Sequence, residues 1–221
     1  MDERDHGIIL RTRPLTETSL IVQWLARERG LISTVARGAR RPKSVFIGKL
    51  DLYYTAHFTF QRSRRSELHT LREIELDGTN ELVRHDLGWL NQAAYAGALI
   101  EHTSERETPV PEQYELILEF LGNLPKVPPN PATILRFELQ LLQILGLLPD
   151  LTNMPLGAGS KAVLGHLRDG PNVSVRMSDQ QKKEIDHFLS GSFESLSTRL
   201  RLIREKALRE GQIPGRGNSK D

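Results

Sequence analysis

Leu50-Asp51-Leu52-Tyr53-Tyr54-Thr55-Ala56-His57-Phe58-Thr59-Phe60-Gln61 is the longest run of strict apolar/polar alternation in the chain. Leu50, Leu52, Tyr54, Ala56, Phe58 and Phe60 share one face and the polar residues, with Tyr53 among them, share the other. This is the period of a half-buried strand. Working back from it, Leu31–Ala36 predicts another strand. Leu20–Glu28 predicts one that groups Leu20, Val22 and Trp24, and Gly7–Arg13 one that sets Ile8 and Leu10 opposite Arg11 and Arg13. Glu28-Arg29-Gly30 reads as a hairpin turn, with Gly30 taking a positive φ. Working forward, Arg62–Ser66 is a basic turn and Leu68–Leu76 a fifth strand. Five strands with no helix between them point to a small closed barrel, of which the OB-fold is the common five-stranded form. The expected class is α+β, with an OB-fold barrel over residues 1–79 and an all-α domain over 80–210.

From Asn80 onward the apolar period becomes helical. Leu82–His102 predicts one helix and Glu112–Asn123 a second, with Leu116, Ile117, Phe120 and Leu121 facing inward. Pro125–Pro131 reads as a stiff, non-helical linker. Ala132–Leu145 is almost apolar all round apart from Arg136, Gln140 and Gln143, which predicts a central helix closed by Gly146. Residues 150–177 are expected to be an irregular insertion, with a hairpin over Val163–Met177 turning at Asp169-Gly170. Ser178-Asp179-Gln180-Gln181 is a capping box. A last helix is expected from Ser192 to about Glu210, with Phe193, Leu196, Leu200, Ile203 and Ala207 inward and Arg199, Arg201, Arg204, Lys206 and Arg209 outward. Residues 211–221 are expected to be disordered.

The formal charge of +2 conceals a partition. Residues 1–80 carry 14 Lys and Arg against 10 acids, residues 81–150 carry 4 against 10, and residues 36–72 alone carry 9 against 2. A basic barrel followed by an acidic helical part suggests modules with different partners. No apolar run reaches the ~20 residues of a membrane span. The start Met-Asp-Glu-Arg-Asp has no apolar stretch behind it, so no secretion signal is expected. The chain has 0 cysteines, which fits a reducing compartment and leaves no thiolate for a metal. The expected location is cytoplasmic.

Catalytic signatures are missing. The 7 histidines include no H-E-x-x-H pair, so no metal site is expected. Leu156-Gly157-Ala158-Gly159-Ser160-Lys161 is a poor phosphate loop, with Gly-Ser-Lys where Gly-Lys-Ser/Thr is required, and reads as a connector. There is no nucleophile elbow. The expectation is a non-enzyme with no cofactor.

What remains is charge. Arg37-Gly38-Ala39-Arg40-Arg41-Pro42-Lys43-Ser44, continuing to Lys49, holds five cations and no acid. Cations on a β scaffold suit a polynucleotide backbone, whose phosphates release counterions when neutralised. Arg11, Arg13, Arg62, Arg64 and Arg65 extend the patch if the barrel brings them to one side. Tyr53, on the polar face of its strand, is the candidate for stacking on a base. The plainer reading is a solvated loop whose charge serves solubility. An RNA-binding OB protein, or a scaffold that binds through its acidic helices, also fits these residues.

Gly7-Ile8-Ile9-Leu10-Arg11-Thr12-Arg13, Glu17–Val22 and Val35-Ala36-Arg37-Gly38-Ala39-Arg40-Arg41-Pro42-Lys43-Ser44 resemble the N-terminal domain of the RecO family of bacterial DNA repair proteins. Arg136–Leu151 is similar to that family's central helix and its exit. The resemblance implies an OB-fold followed by a helical domain. It also implies a recombination mediator that binds single- and double-stranded DNA and anneals complementary strands. With RecR, such a protein helps load RecA onto DNA coated by single-strand-binding protein, whose acidic, apolar C-terminal tail docks on the helical domain. Many members carry a four-cysteine zinc site after the position of Leu148–Leu151. Here Thr152-Asn153-Met154-Pro155 follows, so no zinc site carries over and packing alone must hold the segment, unless it is mobile.

Overall fold

The computed structural model of the chain describes residues 2–151, 154–170, 175–193 and 198–209. The chain falls into two compact units: Met1–Leu82 with Ala96–Gly122, and Val83–Tyr95 with Asn123–Asp221.

The first unit holds β1 (Asp2–Pro14), β2 (Leu20–Ala26), β3 (Gly30–Ala36), β4 (Thr55–Gln61) and β5 (Leu68–Gly78). They close into a barrel in the order β1-β2-β3-β5-β4, with β4 returning to β1. All pairings are antiparallel except β3 with β5. This is an OB-type, five-stranded barrel. Closure depends on β1, which pairs with β4 from Asp2↔Gln61 to Ile8↔Thr55 and with β2 from Gly7↔Ala26 to Pro14↔Leu20. A register shift between Ile9 and Arg11 bends it from one partner to the other.

Two strand starts lie five residues from the sequence expectation. β1 begins at Asp2 rather than Gly7. The polar start hides a strand because Asp5, 5% exposed, is a satisfied buried acid: it accepts from Arg29 at 3.1 Å and from the Glu28 backbone N–H at 3.2 Å. β4 begins at Thr55 rather than Leu50. Tyr53 takes φ 65°, which breaks the alternation: Leu52 and Tyr53 form a turn, and Tyr53 and Tyr54 still exchange backbone hydrogen bonds with Ile9.

The barrel core gathers Ile9, Val22, Trp24, Ile32, Tyr54, Phe58, Phe60, Leu71 and Ile74. Trp24 stacks on Phe58 with centroids 4.1 Å apart, and its indole N–H donates to Thr34 at 2.9 Å. Ile8, Leu10, Ile21, Leu25 and Leu31 alternate with these core residues and are buried as well. A bare barrel has no cover for that second set. Residues 96–122 belong to the same unit and comprise the end of α1 (Leu87–Thr103) and nearly all of α2 (Pro111–Asn123). Gly97 lies against Tyr53 and Leu10, and Tyr114 hydrogen-bonds His6 at 2.6 Å. Gly30 takes φ +64° beneath the Thr108 carbonyl, where a Cβ would sit 1.8 Å from the oxygen, so only glycine fits.

The second unit contains the first part of α1, then α3 (Pro131–Ile144), α4 (Ala158–Asp169), α5 (Asp179–Ser192) and α6 (Thr198–Ala207). Asn130 caps α3, with Pro131 as its first residue, and Gly146 follows it at φ +69°. The expected Pro-rich linker includes one turn of 3-10 helix, Leu124–Lys126, with Pro125 at its start. The hairpin expected over Val163–Met177 is not formed: residues 158–169 are α4, which buries Leu164 and Leu167 at helical spacing. Gly159 and Gly165 make that stretch look irregular in sequence, but both are accommodated in the helix. The Ser178/Gln181 capping box forms as expected. The capping box opens α5, which ends at Ser192, and the last helix, α6, spans Thr198–Ala207 rather than starting at Ser192. Leu196, Thr152-Asn153, the expected hairpin's Pro171–Ser174 and the expected disordered tail at 211–221 lie outside the described residues.

Candidate nucleic-acid interface

The connection from β3 to β4 is a chain of tight turns. Arg41 N–H donates to Gly38 O at 3.0 Å, Ser44 N–H to Arg41 O at 3.1 Å, and Lys49 N–H to Phe46 O at 3.1 Å. Phe46, 6% exposed, belongs to the barrel core and anchors the loop. The Arg40 N–H donates to Thr18 O at 3.0 Å, and its guanidinium reaches Thr16 O at 3.4 Å. These contacts tie the basic loop to the β1–β2 turn. The cations therefore stand on a shaped surface.

Between these two loops and the β4–β5 turn lies a groove of about 760 Å³. Arg37, Arg41 and Arg62 line it together with the hydroxyl-bearing Thr16, Thr18, Ser63, Ser66 and Thr70 and the apolar Leu15, Val35 and Leu68. Among the described residues, no carboxylate lines it. Ser63 Oγ accepts from the backbone N–H groups of Arg65 and Ser66 at 3.3 and 3.2 Å, which fixes the second basic turn.

The expected site residues divide into groups. Arg37, Arg41 and Arg62 meet at the groove, while Arg40, Lys43, Arg64 and Arg65 are exposed on the same two loops but do not line it. Among the described residues, no carboxylate is paired with Arg13, Arg37, Arg40, Arg41, Lys43, Arg64 or Arg65. Arg62 is paired with Glu107, and Arg11 with Glu101. Lys49 donates to Ile74 O on β5 at 3.4 Å, away from the groove lining. Tyr53 does not lie on an exposed strand face: it is 4% exposed, because its positive φ turns it inward. It is no platform for a base.

His69 supports the second basic turn from beneath. It is 2% exposed and stacks on Phe60 at 5.2 Å; its Nδ1 accepts from the Ser63 N–H at 3.3 Å and its Nε2 lies 3.4 Å from Glu107. Burial lowers its pKa against the opposing pull of Glu107. An unfolded histidine titrates near 6.5, so below that pH the unfolded chain takes up a proton that the folded chain resists. Stability is therefore expected to fall as pH drops through about 6.5. Urea unfolding at about pH 7.5 and 5.5 tests this. His69→Gln, which keeps an acceptor but does not titrate, should lose part of the difference, and an unchanged difference would assign it to other groups.

The second unit holds a feature that sequence reasoning missed. Glu138, 0% exposed in the middle of α3, receives Arg204 through Nε at 2.6 Å and Nη2 at 2.9 Å, and the Tyr95 hydroxyl at 2.5 Å. Arg204 also reaches Asp186 and Ser190 on α5. Arg204 therefore does not belong to the outer face of its helix. Burial alone would lower its pKa, but the fork onto Glu138 overrides this and raises it; burial and Glu138 together push Tyr95 up. The sequence signal was a lone carboxylate within an apolar helix, which requires a buried partner.

The phosphate-loop likeness also resolves. Gly157 caps α4, and Glu184 occupies that end, accepting from Ser160 Oγ at 2.7 Å and from the Gly157 N–H at 3.4 Å. The Ser160 hydroxyl, then Gln180, hold the Glu184 carboxyl below its usual range. An internal acid sits where a phosphate would. Among the described residues, no group of three or more His, Asp and Glu side chains is placed to hold a metal ion, and no helix is long and apolar enough to cross a membrane.

Residues 1–79 match the family description "Recombination protein O N terminal" and residues 84–157 match "Recombination protein O C terminal". The chain is 33% identical over 204 residues to the DNA repair protein RecO of Symbiobacterium thermophilum, covering 89% of this chain and 78% of that protein. It is 34% identical over 148 residues to the protein of that name from Bacillus subtilis, covering 66% of this chain and 57% of that one. For Anaeromyxobacter dehalogenans the values are 32% over 158 residues, 69% and 62%. The chain thus spans about three-fifths of the length of the last two relatives. Matches to both halves of the family, in order, agree with a five-stranded barrel followed by helices: the chain belongs to the RecO family of DNA repair proteins.

Proposed function

We propose that this chain is a non-catalytic recombination mediator acting in the cytoplasm, at the nucleoid. The barrel, residues 1–79, binds single- and double-stranded DNA without sequence preference and anneals complementary strands. The helical residues 80–210 engage proteins. With RecR, the chain assists loading of RecA onto DNA coated by single-strand-binding protein. One observation carries this reading: a groove of about 760 Å³ whose side-chain polar lining, among the described residues, is arginine, hydroxyl groups and the Gln61 amide, with no acid. Contacts of that kind hold a sugar-phosphate chain and leave base identity unread.

The acidic tail of single-strand-binding protein docks on the helical unit. A second depression of about 720 Å³ there is lined by Leu148, Pro149 and Leu151, which suit the apolar part of that peptide, and by Lys161 and Arg168 alongside Asp150 and Asp169, the last already paired with Arg168.

The test is a titration of the full chain against a single-stranded oligonucleotide, a DNA duplex and an RNA hairpin at several salt concentrations, followed by annealing of coated complementary strands. Binding to both DNA forms with a steep negative salt slope, and faster annealing, is expected. Preference for the hairpin would instead favour an RNA-binding role, and absence of binding would leave the barrel as a scaffold.

A further inference from the structure

We propose that the apolar depression behind residues 37–41 docks an unstacked nucleobase of a bound single strand. This inference rests on the DNA-binding reading and adds to it what the basic groove does not supply, a contact with the base itself.

The depression holds about 340 Å³, within the range of small-ligand sites, and Phe46, Ile47, Leu50 and Tyr54 contribute to its walls. Its position is the first argument. Ser19 and Gly38 face the arginine groove, and the next residues in the chain, Leu20 and Ala39, face the depression. The same two stretches of backbone divide the two hollows. A strand with its phosphates in the groove has only to cross residues 37–41 to place a base on the other side.

Exposure is the second argument. The loop anchors itself in the core through Phe46 and presents its neighbours outward: Ile47, which lines the depression, is 56% exposed, and Val45, on the loop beside it but outside the lining, is 72% exposed. Two large apolar side chains in a loop that also carries Arg40, Arg41 and Lys43 are out of place on a surface that only attracts phosphate. Apolar wedges beside cations are the usual means of holding bases out of their stack. The third argument is sign. The ionisable groups lining the depression are Asp51 and Tyr54, so a phosphate is disfavoured there, whereas a base presents an apolar face and amino donors.

The experiment uses the full chain, wild type and Val45→Ser/Ile47→Ser, with two oligonucleotides of equal length: one carrying bases and one abasic throughout. Both hold the same phosphates. Wild type should bind the base-bearing strand about five- to one-hundred-fold more tightly, the range for stacking one base. The double variant should lose most of that preference while binding the abasic strand, and a duplex, as wild type does and with the same salt slope. Two results overturn the proposal. One is equal preference in both proteins, including the case in which the variant instead loses RecR, which would make the depression a protein site. The other is an equal loss on every nucleic acid, which would make the loop's role structural. Failure of wild type to bind any DNA would instead sink the groove reading, and this one with it.

Discussion

Arg204→Leu should lower the stability of the helical unit by about 3–5 kcal/mol, the cost of removing one partner from a buried ion pair. Arg204 satisfies both oxygens of a carboxylate that is 0% exposed, and it also bonds α5 through Asp186 and Ser190. Without it, Glu138 keeps the Tyr95 hydroxyl, but its carboxylate is left buried without a countercharge. Replacing both members, Glu138→Leu with Arg204→Leu, should recover much of the loss, because no charge is then stranded. Urea unfolding followed by the fluorescence of Trp89, whose indole bonds Val127 O within the same unit, reads the effect. A single variant as stable as wild type would mean that the pair contributes nothing. A double variant worse than the single would mean that it does more than cancel charges.

Arg37→Ala, Arg41→Ala and Arg62→Ala combined should reduce the salt slope for single-stranded DNA by about 2, at ~0.7 per phosphate contact. They should also weaken binding by about a hundredfold or more at low salt, given the strength of hydrogen bonds to charged groups. Arg62 is expected to contribute least of the three, since it is already engaged by Glu107. Lys49→Ala, whose ammonium bonds Ile74 O, should leave affinity near wild type. Anisotropy titrations across salt give both quantities. If the Lys49 variant matches the triple variant, binding follows net charge and the groove has no special place.

The barrel could be read from sequence because its strands announce themselves through alternation, and Val22, Trp24, Tyr54, Phe58 and Phe60 entered the core as their spacing required. Alternation failed where something other than burial fixed the backbone. Tyr53 takes a left-handed φ, and Asp5 is a buried acid with local partners. Neither condition leaves a mark in apolar periodicity. The basic loop could be recognised by composition, but its partners across the groove could not. Which of ten candidate cations converge depends on the order in which β1, β3 and β4 close the barrel, and that brings Arg62 to Arg37 and Arg41 while leaving Lys49 at β5. The helical unit was harder to read. Arg204 looks like an ordinary surface charge until α3 and α6 are packed, so the partner that Glu138 requires cannot be named from sequence, and α4 carries enough glycine to pass for a loop.

The pairing of Asp2 with Gln61 bears on handling the protein. Whatever is joined ahead of Asp2 leaves the barrel at the strand end that runs into Arg62, so an affinity tag or fluorophore attached there hangs beside the arginine hollow. A polyhistidine extension in that place, neutral or cationic, adds its own attraction for phosphates beside the arginines and changes the binding being titrated. Labels for binding work belong elsewhere on the chain, and tagged material should be compared with cleaved material before any affinity is compared across variants.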